Sequence, residues 1–224
     1  MKNIFNIEQD NKILLLQILF VTSMILANIV GVKIVNIGPV ATSVGIWLVP
    51  ISFLITDILA EVKGKKFVNN LIWSTVIALI FSYLFIQLSI MATPADRFAQ
   101  TNPAFVTIFN NSSRIFLASI IAFILSQFHD IWAFEYWKKK TNGKMLWLRN
   151  NLSTMVSQFI DTVLFMFIAF YHISPKFDAG FIWQLIIPYY ILKIILALAD
   201  TPLVYLGVKW LALKPKIEPT NEEK

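Results

Sequence analysis

The chain has 224 residues, of which 57% are hydrophobic and only 14% charged, and its mean hydropathy is +0.68. Apolar runs of about 20 residues, the length that roughly 30 Å of hydrocarbon demands, take up most of it and leave no room for a separate soluble domain of ordinary size. The absence of cysteine excludes disulfides, thiol catalysis and thiolate metal sites, and the net charge of +6 is spread in a way that marks membrane topology rather than nucleic-acid binding.

In chain order, 1–12 reads as a polar cytoplasmic tail and 13–32 as the first span. The first span is too long for a cleavable signal and holds the small pair Ala27 and Gly31, which suits close helix contact. The second span, about 44–60, contains Pro50 and ends in TDILAEVKGKK; Ser43, Pro50, Asp57 and Glu61 fall on one helical face. The third, about 68–91, carries hydroxyls and Gln87 but no charge and reads as a packing helix. A long connection rich in proline and asparagine follows, with room for a short interfacial helix near Phe105 to Phe109.

The fourth span, about 114–132, leads into a basic loop of Lys138, Lys139, Lys140 and Lys144. The fifth, about 149–171, is the most polar. On a helix its Asn150, Ser153, Thr154, Ser157, Gln158 and Asp161 share one sector, while Leu152, Met155, Val156, Phe159, Val163 and Met166 fill the opposite one, which suits lipid or packed neighbours. The sixth, about 181–210, reads as broken by Pro188 and Pro202, and 213–224 as a charged cytoplasmic tail. The expected fold is therefore an all-α integral membrane protein with six transmembrane helices, forming a single domain over 13–212. Six spans with both termini in the cytoplasm put fourteen of the nineteen basic residues on the inner side, the asymmetry that orients short loops.

The fourth and fifth spans echo each other: SQFHD at 126–130 returns as SQFID at 157–161. Duplicated units in transporters leave such traces, and so do similar helices lining one cavity.

Ionisable residues inside spans carry the functional signal, because each costs roughly 2.5 to 3.5 kcal/mol at a helix centre. Asp57, Asp130, Asp161, Lys193 and Asp200 are such residues. Asp57 and Asp130, near inner helix ends, can instead reach the interface and pair with Lys63 or Lys138, and Glu61 reads as interfacial. Lys193 needs a partner. The short turn between the fifth and sixth spans makes these antiparallel neighbours, so Asp161 and Lys193 lie about 15 and 18 Å below one surface, while Asp200 is about 10.5 Å farther along. Asp161 and Lys193 are expected to pair at mid-membrane, in a contact that protonation or substrate binding alters.

The two histidines, His129 and His172, sit at opposite ends of their spans, so each reads as interfacial and they cannot share a metal or haem. No HExxH, GxSxG, P-loop or glycine-rich dinucleotide motif is present, and the residues ask for neither cofactor nor metal. An intramembrane aspartyl hydrolase is the enzymatic alternative, because four aspartates could supply a pair. The stronger reading is a transporter, not an enzyme.

TDILAEVKGKK with Asp57, Glu61 and Gly64, SSRIFLASIIAFILSQFHD with Arg114, Ser119, Gln127 and Asp130, and LWLRNNLSTMVSQFIDT at 146–162 together resemble the queuosine precursor transporter family. That family lies within the vitamin uptake transporters and is similar to the substrate-binding subunits of energy-coupling factor transporters. The likeness covers nearly all of the chain between its tails and departs at Lys63, where an aromatic residue is expected.

The resemblance implies uptake, at the cell inner membrane, of 7-cyano-7-deazaguanine and 7-aminomethyl-7-deazaguanine for tRNA modification. A guanine-like edge asks for a carboxylate with an amide or cation, and its flat face for aromatic rings. Arg114, Gln127, Asn150, Gln158 and Asp161 are the expected substrate contacts. Trp132, Trp137, Trp147 and Trp210 read first as interfacial anchors. Beyond lipid and substrate, the partners left open are further copies of the chain or separate ATP-hydrolysing subunits, the latter if the chain is the binding subunit of an ATP-driven importer.

Overall fold

The computed structural model describes residues 9–31, 33–38, 40–110, 113–172, 175 and 177–212; of the tails expected at 1–12 and 213–224, residues 1–8 and 213–224 lie outside them, whereas 9–12 are not tail but the opening of the first helix, with Lys12 buried. Among the described residues six helices are long and apolar enough to cross a membrane. They are carried by α1 (Gln9–Val30), α2 (Leu48–Lys63), α3 (Lys65–Met91), α5 (Ser113–Lys140), α6 (Leu146–Phe170) and α7 (Ala179–Ala212), with the short α4 (Asn102–Asn110) packed on α3. Around the bundle the neighbours run α1, α2, α7, α6, α5, α3 and back to α1, with α2 the most enclosed.

Burial is turned inside out relative to a protein in water. On α6, Asn150, Ser153, Thr154, Ser157 and Gln158 are buried, while Val156 and Phe159 are exposed. On α3, Trp73, Ile77, Phe81, Phe85 and Leu88 recur near helical spacing and face outward. Hydrocarbon around the bundle makes this the low-energy arrangement: apolar side chains lose nothing there, and polar ones find partners only inside.

Four features differ from the sequence reading. Between the first two spans the chain forms an antiparallel hairpin, β1 (Ile34–Ile37) and β2 (Val40–Ser43), with Ile37 opposite Val40 and a turn opened by Gly38 at φ 59°. The cue was the β-branched run around Gly38-Pro39. Ser43 is thus at the hairpin base rather than on α2, donating to the Gly31 carbonyl at 2.7 Å and accepting from the Gly45 amide at 3.0 Å. Secondly, α5 continues to Lys140, so the basic residues form its last turn, where the helix dipole favours positive charge. Thirdly, α7 runs unbroken through Pro188 and Pro202 for 34 residues; it packs against α6 and α2, the setting in which a membrane helix tolerates an internal proline. Finally, His129 is not an interfacial side chain: it is half-buried, with Nδ1 3.0 Å from the Ser157 hydroxyl. The helix expected around Phe105 to Phe109 is present as α4.

A single residue, Gly64, joins α2 to α3 at φ 83°, a conformation that side chains with a Cβ rarely adopt. At the other contact of α2, Gly207 of α7 lies against buried Ile58, where an added Cβ would collide with the Ile58 side chain. Gly207→Val is expected to lower stability by about 1 to 3 kcal/mol through overpacking, measured as an earlier thermal unfolding transition of the detergent-solubilised protein.

Candidate functional site

The site is built in layers along α6. At the end where α1 begins and α7 finishes, Lys12 of α1 donates to the Trp210 carbonyl at 2.9 Å, with its ammonium 5.1 Å from the indole centre. In the same end layer Glu61 of α2 binds Arg149 of α6 through two contacts, 3.0 Å and 3.4 Å, and Lys138 of α5 at 3.1 Å. The Arg149 side chain is 1% exposed, donates also to the Gly143 carbonyl at 3.2 Å, and lies 5.2 Å from the Phe134 ring. This clamp ties three helices together and closes the bundle at its basic end. Glu61 is therefore half-buried and fully engaged rather than merely interfacial, and it takes up the Lys138 that Asp57 or Asp130 could have used.

Twelve residues farther along α6, about 18 Å, Asp161 meets Lys193 of α7 at 2.6 Å. The pair expected from their similar depth is formed, and Ser126 of α5 adds a hydroxyl donor to Asp161 at 3.4 Å. The Lys193 ammonium also lies 5.1 Å from the Tyr189 ring centre. The pair forms one wall of a cavity whose other walls are Asn28 of α1, Ser119 and Phe123 of α5, Phe53 of α2 and Phe165 of α6. Ser43 and Gly45, at the base of the hairpin, line its far end. Asn28 donates its amide to the Met24 carbonyl at 2.8 Å and leaves its buried Oδ1 without a partner. The cavity thus brings a carboxylate, an ammonium, an asparagine side chain and aromatic rings together.

The family described as "Putative vitamin uptake transporter" matches residues 43–207, a stretch that contains α2, α5, α6 and all but the last turn of α7 and leaves out α1. The chain is a member of the vitamin uptake transporter family. The transporter is 32% identical over 189 residues to the "Probable queuosine precursor transporter" of Bacillus subtilis (strain 168), covering 82% of this chain and 79% of the relative. It is 28% identical over 160 residues to the "Queuosine precursor transporter" of Escherichia coli (strain K12), covering 70% of this chain and 68% of the relative. No solved structure matches it.

In this vitamin uptake transporter the residues singled out from sequence divide into four places. Asp161 and Lys193 stand in the cavity. Asn150, Gln158, Asp57 and Asp200 line a second, smaller pocket nearer the basic end, with Thr154 and Phe53; Asp130 and Gln127 are buried on α5. Arg114 stands apart: it is exposed, and it donates to the Ile168 and Tyr171 carbonyls at 2.7 Å each, capping the end of α6. That cap satisfies carbonyls that have no partner within the helix. Sequence reasoning missed Asn28 and Tyr189. A lone asparagine in the apolar run of α1 was the available signal, whereas Tyr189, one helical turn from Lys193, had none.

Proposed function

We propose that this multi-pass membrane protein imports queuosine precursors, 7-cyano-7-deazaguanine and 7-aminomethyl-7-deazaguanine, across the cell inner membrane. The observation that carries the reading is the cavity at Asp161 and Lys193. A carboxylate suits the adjacent N–H groups of a guanine-like edge and an ammonium suits its carbonyl. Asn28 Oδ1 suits a further N–H, and Phe53, Phe123 or Phe165 suits the flat face. The basic end, with Lys138, Lys139, Lys140 and the Glu61 clamp, is the cytoplasmic side by its charge, so the cavity belongs to the outer half and the clamp shuts the inner exit. The protein works as a self-sufficient carrier without catalysing a reaction.

The test is the queuosine content of tRNA in cells that cannot make the precursor and receive it at low concentration. Content that is the same with and without the protein would overturn the reading. Uptake by the purified chain alone in liposomes decides whether ATP-hydrolysing subunits are needed. Asn28→Leu is expected to raise the KM for uptake about tenfold, since an unanswered N–H in a desolvated site costs about 1 to 3 kcal/mol, while membrane abundance stays at the wild-type level. Both are read from initial rates and quantitative immunoblots.

A further inference from the structure

One to two turns deeper than the cavity, between α2, α5, α6 and α7, lies a group of buried side-chain oxygen atoms, several of them without partners. Asp57 and Asp130 are 2% and 1% exposed, and their carboxyl groups face each other within hydrogen-bonding reach. Three hydroxyls of α6 surround them. Ser153 and Ser157 donate to the Asn150 and Ser153 carbonyls at 3.2 and 2.8 Å, and Thr154 donates to Asp57 at 3.4 Å. Asp130 Oδ1, Asn150 Oδ1 and Gln158 Oε1 are buried and without partners. Asn150, at 3% exposure, and Gln158, at 1%, line the same small pocket as Asp57, Thr154 and Asp200.

The buried and half-buried basic side chains of the packed elements are engaged elsewhere. Lys193 of α7 is held by Asp161 of α6, and Arg149 of α6 and Lys138 of α5 are held by Glu61 of α2. His129 of α5 meets Ser157, and Asp200 of α7 adds a further acid rather than a counter-charge. Among the described residues no cationic side chain bonds to Asp57 or Asp130, and no group of three or more His, Cys, Asp or Glu residues could hold a metal ion. Two facing carboxylates in a membrane interior cannot both stay charged without a positive partner.

We propose that this pocket binds a monovalent cation, H⁺ or Na⁺, between Asp57 and Asp130, and that its occupancy is linked to substrate binding in the cavity above. A proton would be shared by the two carboxyl groups. A sodium ion would take hard oxygen ligands from the carboxylates, the Asn150 and Gln158 amides and the Thr154 hydroxyl. Phe53 lines both the pocket and the cavity, so it is the wall through which filling one is felt in the other. The inference rests on the uptake reading and adds its source of energy.

The test uses the purified full chain. The Kd for 7-cyano-7-deazaguanine is measured with and without sodium chloride at constant pH, and across pH in sodium-free buffer. The expected result is a tightening of about tenfold with one of the two cations, lost in the Asp57→Asn, Asp130→Asn double variant. Tightening by sodium assigns Na⁺, and tightening on acidification assigns H⁺. A wild-type Kd that moves with neither overturns the proposal. Independently of any substrate, infrared spectra of the protein alone are expected to show a carboxyl band that shifts on titration with the same cation and is absent from the Asp130→Asn variant. A wild-type spectrum that responds to neither cation also overturns it, whereas a cation-dependent band in a protein that binds no 7-deazaguanine would overturn the uptake reading instead.

Discussion

Asp161→Asn is expected to abolish uptake and to cut the amount of protein in the membrane. The substitution leaves the Lys193 ammonium, whose side chain is 3% exposed, without the carboxylate that meets it at 2.6 Å. Breaking a buried pair from one side costs about 3 to 5 kcal/mol, because the survivor is an uncompensated charge. A chain with ordinary stability of about 5 to 15 kcal/mol loses a large part of it. Lys193→Met removes the other partner, and the Asp161 carboxylate, though still offered the Ser126 hydroxyl, loses its counter-ion. The double variant Asp161→Asn with Lys193→Met has no stranded charge, so accumulation should return while uptake stays absent. Size-exclusion profiles of a fluorescently tagged chain measure the first and labelled-precursor uptake the second. A double variant that accumulates no better than the singles would show that the pair does not stabilise the fold.

Glu61→Gln is expected to have an effect of similar size at the opposite end of α6. Arg149 then loses a two-point carboxylate contact and Lys138 its only ion pair among the described residues, while the Gly143 carbonyl and the Phe134 ring remain. About 3 to 5 kcal/mol is again the scale for a cation left buried and unpaired. Arg149→Lys should rescue little, since a point-like ammonium cannot span both Glu61 oxygens and the Gly143 carbonyl as the planar guanidinium does. Thermal unfolding in detergent measures both variants, and a Glu61→Gln protein that melts with the wild type would mean that the clamp adds nothing to stability.

Much of the fold and part of the site are legible in the sequence, for physical reasons. Span length follows from bilayer thickness, and the polar sector of α6 follows from helical periodicity, so spacing alone sets Asn150 through Asp161 on one face. The depth of Asp161 and Lys193 follows from counting residues back to a short turn, which fixes height within the membrane without any knowledge of packing. Counting says nothing about rotation or neighbour order. In the sequence Asp57 and Asp130 are therefore free to pair with Lys63 or Lys138, whereas the ring of helices sets them against each other and gives Lys138 to Glu61. Arg114 fails as a cavity residue for a related reason: its position at the start of α5 is adjacent to the end of α6, whose carbonyls are the nearest acceptors. The rule that proline breaks a helix suits helices in water, and the neighbours of α7 relax it.

The one-residue connection at Gly64 has a mechanical consequence. Phe53 and Asp57 ride on α2 at the centre of the bundle, while α3 presents Trp73, Phe81 and Phe85 to the outside. A joint of one residue has no slack, so any tilt of α2 that widens a path past Phe53 is transmitted at once to α3 and must displace acyl chains. The surrounding lipid thereby becomes a spring loaded against the central helix. Turnover should follow the thickness and lateral stiffness of the bilayer even when the affinity of the cavity is unchanged.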